Sequence, residues 1–78
     1  EGDIMSEKLR PLKKGDKGNF VYTLQGLLNG KCNQGIKVTG TYDDATAKSV
    51  KNVKVYFKGP NTDGGHVGEW VWRTLIGL

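Results

Sequence analysis

The stretch Leu12–Asn29, LKKGDKGNFVYTLQGLLN, decides the fold. Its first half sets Gly15 and Gly18 around an Asp-Lys pair, the composition of a tight turn in which glycine supplies φ > 0. Its second half places Val21, Leu24, Leu27 and Leu28 at i, i+3, i+6 and i+7, the spacing of one buried helical face. A turn therefore launches an amphipathic helix, and Gly30 is the expected stop.

The same unit recurs downstream. Gly15, Gly40 and Gly65 stand 25 residues apart, as do Gly18, Asp43 and Gly68, and then Val21, Thr46 and Val71. A repeat of this length means one supersecondary unit used several times, here a glycine corner feeding a helix. The second helix begins at Asp43 or Asp44, either of which can cap free backbone N–H groups. Its apolar stripe is Thr46, Ala47, Val50, Val53 and Phe57, and Gly59 and Pro60 end it. The third starts near Gly68, carries Val71, Trp72 and Leu75, and closes at Gly77. Ile36 and Val38 alternate with polar neighbours, a pattern for a brief extended segment too short to found a sheet. The reading is all-α: a small three-helix bundle with long connecting loops, Lys31 to Thr41 and Gly59 to Val67, where binding groups concentrate.

Composition bounds the function. The chain has 78 residues, 36% hydrophobic and 26% charged, the profile of one globular domain with a small core. Residues 1–11 are polar without sustained periodicity and read as a linker remnant, with 12–78 as the domain. No apolar run approaches the roughly 20 residues that cross a bilayer, so no membrane partner is expected. Cys32 is the only cysteine and cannot pair within the chain. The formal charge of +4 favours anionic partners. Of the twelve basic residues only Arg10 and Arg73 offer a bidentate fork, which argues against sequence-specific recognition of nucleic acid.

Leu12–Asn29 closely resembles the first signature of the peptidoglycan-binding domain family, Leu-x-x-Gly-Asp-x-Gly-x-x-Val-x-x-Leu-Gln-x-x-Leu-Asn, at every fixed position. The second signature is met by Val38, Gly40, Tyr42, Thr46 and Val50, with looser matches at Ser49 and Val53. The third is met by Asp63, Gly64, Val67, Gly68, Trp72 and Leu75. Thr39 replaces an Asp of the pattern, Asp43 a Gly, Lys54 a Gln and Val71 a Thr, and one extra residue enters the third motif. The resemblance implies a three-helix bundle without catalysis, attached to an amidase, lysozyme, carboxypeptidase or phage lysin. Because the family also supplies a propeptide domain of animal matrix metalloproteinases, fold alone does not settle wall binding.

The residues carry little reaction chemistry. His66 is the only histidine, so with one thiol no nucleophile–base arrangement and no three-ligand zinc site can be assembled. Asp43 and Asp44 are adjacent and diverge by roughly 100° on a helix, which suits capping rather than a glycosidase pair. The segment Asn61–Glu69 lacks the spacing of a calcium loop. No cofactor and no metal is expected.

For binding, Trp70 lies off the Val71, Trp72 and Leu75 stripe, so its indole either offers a stacking platform for a sugar ring or packs onto a loop. Tyr22 sits off the Leu24 and Leu28 face in the same way. Asn29, Asn61, Thr62, Asp63 and His66 can direct hydrogen bonds to sugar hydroxyls and peptide amides. Lys48, Lys51, Lys54 and Lys58 recur at helical spacing as one basic ridge, a solvated face or an electrostatic contact to teichoic acid phosphates and muramyl carboxylates. Gln25 satisfies buried backbone groups. The expected ligand-binding set is Trp70, Tyr22, Asn61, Asp63, His66, Asn29 and Lys54. The expected role is extracellular: a monomer that binds the glycan and stem peptide of peptidoglycan and anchors a covalently linked wall hydrolase. A structural or pro-domain-like interaction module, and a basic nucleic-acid-binding bundle, are the competing readings.

Overall fold

In the computed structural model, which describes residues 11–59 and 62–77, each repeat opens its helix with the same bond. The N–H groups of Tyr22, Ala47 and Trp72 donate to the carbonyls of Gly18, Asp43 and Gly68 at 3.1, 2.9 and 3.2 Å. The elements in order are β1 (Leu12–Lys13), α1 (Asn19–Cys32), α2 (Asp44–Tyr56), β2 (His66–Val67) and α3 (Glu69–Gly77). Three helices carry the fold, as the sequence predicts. The expected linker as far as Arg10, and the expected helix stop at Pro60, lie outside the described residues.

Backbone hydrogen bonds join the three corners. Gly18 N–H donates to Gly40 O at 2.9 Å, Gly15 N–H to Tyr42 O at 2.9 Å, Tyr42 N–H to Asp16 O at 2.8 Å and Lys14 N–H to Gly65 O at 2.8 Å. β1 and β2 pair antiparallel, Leu12 opposite Val67 and Lys13 opposite His66, so the start of the domain is stitched to the entrance of α3. Leu12 and Val67 are both buried there. The rest of the core comes from the predicted stripes: Val21, Leu24 and Leu28 of α1, Val50 and Val53 of α2, and Val71, Trp72 and Leu75 of α3. Each large apolar side chain so buried contributes about 1.5–3 kcal/mol. Tyr42, from the α1–α2 connector, fills the centre and donates its hydroxyl to Gly64 O at 2.7 Å. Burial, with help from the nearby Asp63 and Asp16 charges, pushes its phenol far above the ordinary value and keeps it a neutral donor.

Several boundaries differ from the sequence expectation. α1 does not stop at Gly30 but runs to Cys32, because Asn33 adopts the left-handed conformation (φ 56°) that asparagine tolerates. The N–H groups of Asn33 and Gln34 then satisfy Asn29 O and Leu28 O at 3.1 and 3.2 Å. α2 ends at Tyr56, and Lys58 rather than Gly59 takes the positive φ. Gly15 and Gly40 hold positive φ as corner glycines should, whereas Gly65 does not. In the third corner the constraint falls on Gly64, where a Cβ would overlap the Ala47 carbonyl oxygen. Ile36–Val38 forms no strand.

Candidate functional site

Three polar side chains from the helices hold the connectors, and two of them were expected to touch ligand. Gln25 is fully buried: its Oε1 accepts from Thr39 N and Gly40 N at 2.9 Å each. Its Nε2 reaches Thr46 Oγ1 at 2.9 Å and Thr41 O at 3.0 Å, so this one amide ties α1 to the second corner and to α2, as anticipated. Asn29 closes on the backbone of Ile36, donating to its carbonyl at 2.7 Å and accepting from its N–H at 2.8 Å. Lys54 is 3% exposed and donates to Asp63 O at 2.6 Å and His66 O at 2.9 Å. Burial lowers its ammonium pKa, against a smaller opposing pull from Asp63.

Lys54 is therefore not part of an exposed ridge. Lys48, Lys51 and Lys58 are exposed, while Lys54 turns inward and donates to two carbonyls of the following loop. Asn29 and Lys54, both expected among the ligand groups, each bind the loop that follows their own helix.

Asp63 and His66 lie together. Asp63 Oδ1 accepts from Gly65 N at 2.9 Å, and Oδ2 stands 3.5 Å from His66 Nδ1. The Gly65 N–H is the main reason the Asp63 carboxyl sits below the ordinary range. His66 lines a shallow groove of about 400 Å³ with Lys13, Asp16 and Val67. Tyr22 is 48% exposed with its ring laid on Gly40, and Trp70 is 38% exposed with its ring on Gly59. Both aromatics thus cover loop glycines on one side and present the other to solvent. Asn61 lies outside the described residues. Among the expected ligand residues, the fold brings together Asp63 and His66 with the structural Lys54, and leaves Tyr22 and Trp70 on other glycine corners.

A larger cleft, of about 530 Å³, opens where the C-terminal ends of α1 and α2 diverge, and the sequence reading missed it. Cys32, Val53 and Phe57 line its apolar side, and Lys31, Asn33, Gln34, Asn52 and Tyr56 supply polar groups. Gln34 spans it, donating from Nε2 to Cys32 O at 3.0 Å and accepting from Asn52 Nδ2 at 3.3 Å. Burial pushes the Cys32 thiol up, which makes it a wall of the cleft and not a thiolate. Asn52 and Tyr56 are one turn apart on α2, but no local signal announced the cleft, because it depends on α1 running past Gly30 to Cys32. Among the described residues no group of three or more His, Cys, Asp or Glu is placed to hold a metal ion.

No protein-family model matches the chain, and no curated protein does. Among solved structures, the N-terminal domain of SleB has a similar fold, with a TM-score of 0.80, 24% identity, and coverage of 90% of this chain and 93% of that domain. At that identity the likeness establishes the fold.

Proposed function

We propose that this chain is a non-catalytic module that binds bacterial cell-wall peptidoglycan and holds a linked hydrolase against its substrate. The observation that carries the reading is where the signature residues sit. Val21, Leu24, Gln25, Leu28, Tyr42, Thr46, Val50, Val67, Trp72 and Leu75 are all buried and build the fold, while the signature residues Val38 and Asp63 stay on the surface. A three-helix frame with open clefts among the described residues supports a surface that grips a polymer. Attachment raises the local concentration of the linked enzyme at the wall, so modest affinity suffices. The exposed Lys48, Lys51 and Lys58 add a salt-sensitive attraction to teichoic acid phosphates. The module works outside the cell as a monomer, with the Asp63–His66 pair, Tyr22 and Trp70 as separate further contacts.

Cosedimentation with insoluble peptidoglycan, purified from several bacterial types and stripped of teichoic acid, tests this. The protein should pellet with stripped walls, and more strongly at low salt with unstripped ones. A folded protein that stays in the supernatant with every wall type refutes the reading.

A further inference from the structure

The wall-binding reading leaves open which unit of the polymer is recognised, and where. The geometry points to the cleft between the ends of α1 and α2 as the site for an N-acyl amino sugar together with the anionic stem peptide amide-linked to its lactyl group, in preference to the neutral sugar of the glycan. This inference rests on the proposed wall binding and goes beyond it.

Its capacity, about 530 Å³, lies in the ~300–1,000 Å³ range of small-ligand sites. Charge selects the ligand's sign, because among the described residues Lys31 is the one charged group on the lining, placed to meet a stem-peptide carboxylate. At the carbonyl end of α1, Leu28 O and Asn29 O are satisfied by the N–H groups of Gln34 and Asn33. Amide chemistry selects the acyl group. Asn52 gives Gln34 one of its two Nδ2 protons and keeps the second, together with its Oδ1, for a ligand acetamide or peptide bond. Gln34 is held at both ends and serves as a preset strut.

An aromatic wall completes the site. Tyr56 is 78% exposed, yet its ring is steadied by an edge-on contact with Phe57, centroids 4.9 Å apart. An exposed ring already restrained is a platform for the apolar face of a pyranose, at small further entropic cost. Cys32 and Phe57 below it offer an apolar surface for the lactyl methyl and the first alanine side chain.

Two titrations of the isotope-labelled chain, one with muramyl dipeptide and one with an N-acetylglucosamine trimer, test the assignment by amide chemical shifts. Muramyl dipeptide should move the amides of residues 31–34 and 52–57 and bind several-fold tighter than the neutral trimer. It should also slow alkylation of Cys32, the only thiol in the chain. Tyr56→Ala should weaken wall binding roughly tenfold with the thermal midpoint unchanged. Lys31→Gln should cost about three- to fivefold and erase the preference over the neutral sugar. Equal affinity for both sugars, shifts centred on Tyr22 and Trp70, or wall binding untouched by Tyr56→Ala overturns the site while leaving wall binding intact. The absence of any shift, in a protein that still pellets with walls, also overturns it. A protein that pellets with no wall at all fails the broader reading instead.

Discussion

The two connectors of this domain are held by the same position of the repeat, filled with different chemistry. Asn29 and Lys54 stand 25 residues apart, each in the last turn of its helix, and each reaches into the loop that follows. Asparagine carries both a donor and an acceptor, so it closes on the N–H and the C=O of one residue, Ile36. Lysine only donates, so it gathers two carbonyls, Asp63 O and His66 O, and must bury its amine to do so. The neutral clasp fixes one residue of a loop that is otherwise governed by Gln25. The charged clasp draws its loop inward, against Tyr42 and α2, where Gly64 has room for no side chain. Where a connector must be pulled into a core, a donor with reach replaces a short amide, at the cost of desolvating it.

The largest expected effect breaks the second connector at its closest approach. Gly64→Ala drives a methyl into the Ala47 carbonyl, and should cost about 3 kcal/mol, the upper end for overpacking. A thermal melt should fall by roughly 4–8 °C for each kcal/mol lost in a domain of this size. A midpoint shift of only a degree or two would mean that the loop stands farther from α2 than described.

Lys54→Met comes next and removes the charged clasp at nearly constant length. It strands two loop carbonyls and should cost about 2–3 kcal/mol in denaturant unfolding. Asn29→Ala, its repeat counterpart, should cost about 1–2 kcal/mol, because the bonds lost are neutral and Ile36 is only half buried. The contrast between the two clasps fails if the methionine variant is as stable as wild type, or if the order of the two losses is reversed.

The smallest effect concerns how the connector between α1 and α2 hands over to a helix. Asp43 caps α2, accepting from Thr46 N at 2.9 Å and Thr46 Oγ1 at 2.8 Å, and these bonds hold its carboxyl below the ordinary value of 3.8. A carboxyl depressed in the folded state stabilises the fold above its unfolded pKa, and that contribution fades as pH falls through the lower, folded value. Asp43→Ala should lose about 1 kcal/mol at neutral pH. Asp43→Asn should lose little there and should show a flatter stability profile below pH ~4. Equal acid sensitivity in wild type and the asparagine variant would remove this cap from the list of acid-labile contacts.

Much of this was legible before any coordinates. Helix stripes, the capping aspartate and the 25-residue repeat are local statements, settled by side-chain spacing and by the backbone needs of a helix end. Gln25 was legible because it sits between core leucines on a signature position and so had to be buried with partners. Lys54 was misread for the converse reason: it shares helical spacing with three exposed lysines, and nothing in that spacing tells which of four similar side chains meets buried carbonyls. The cleft was illegible for a similar reason, since it exists only because α1 outruns Gly30 and ends beside Tyr56.

The amino-acid order by itself determined that there would be three helices, where two of them would be launched and which faces would be apolar, because these depend on interactions within a few residues along the chain. Only the tertiary structure decided that β1 would meet β2, that Lys54 would turn inward and that the ends of α1 and α2 would part to leave a cleft. Those outcomes join segments far apart in sequence, and they depend on which buried polar groups still lack a partner once the helices have packed.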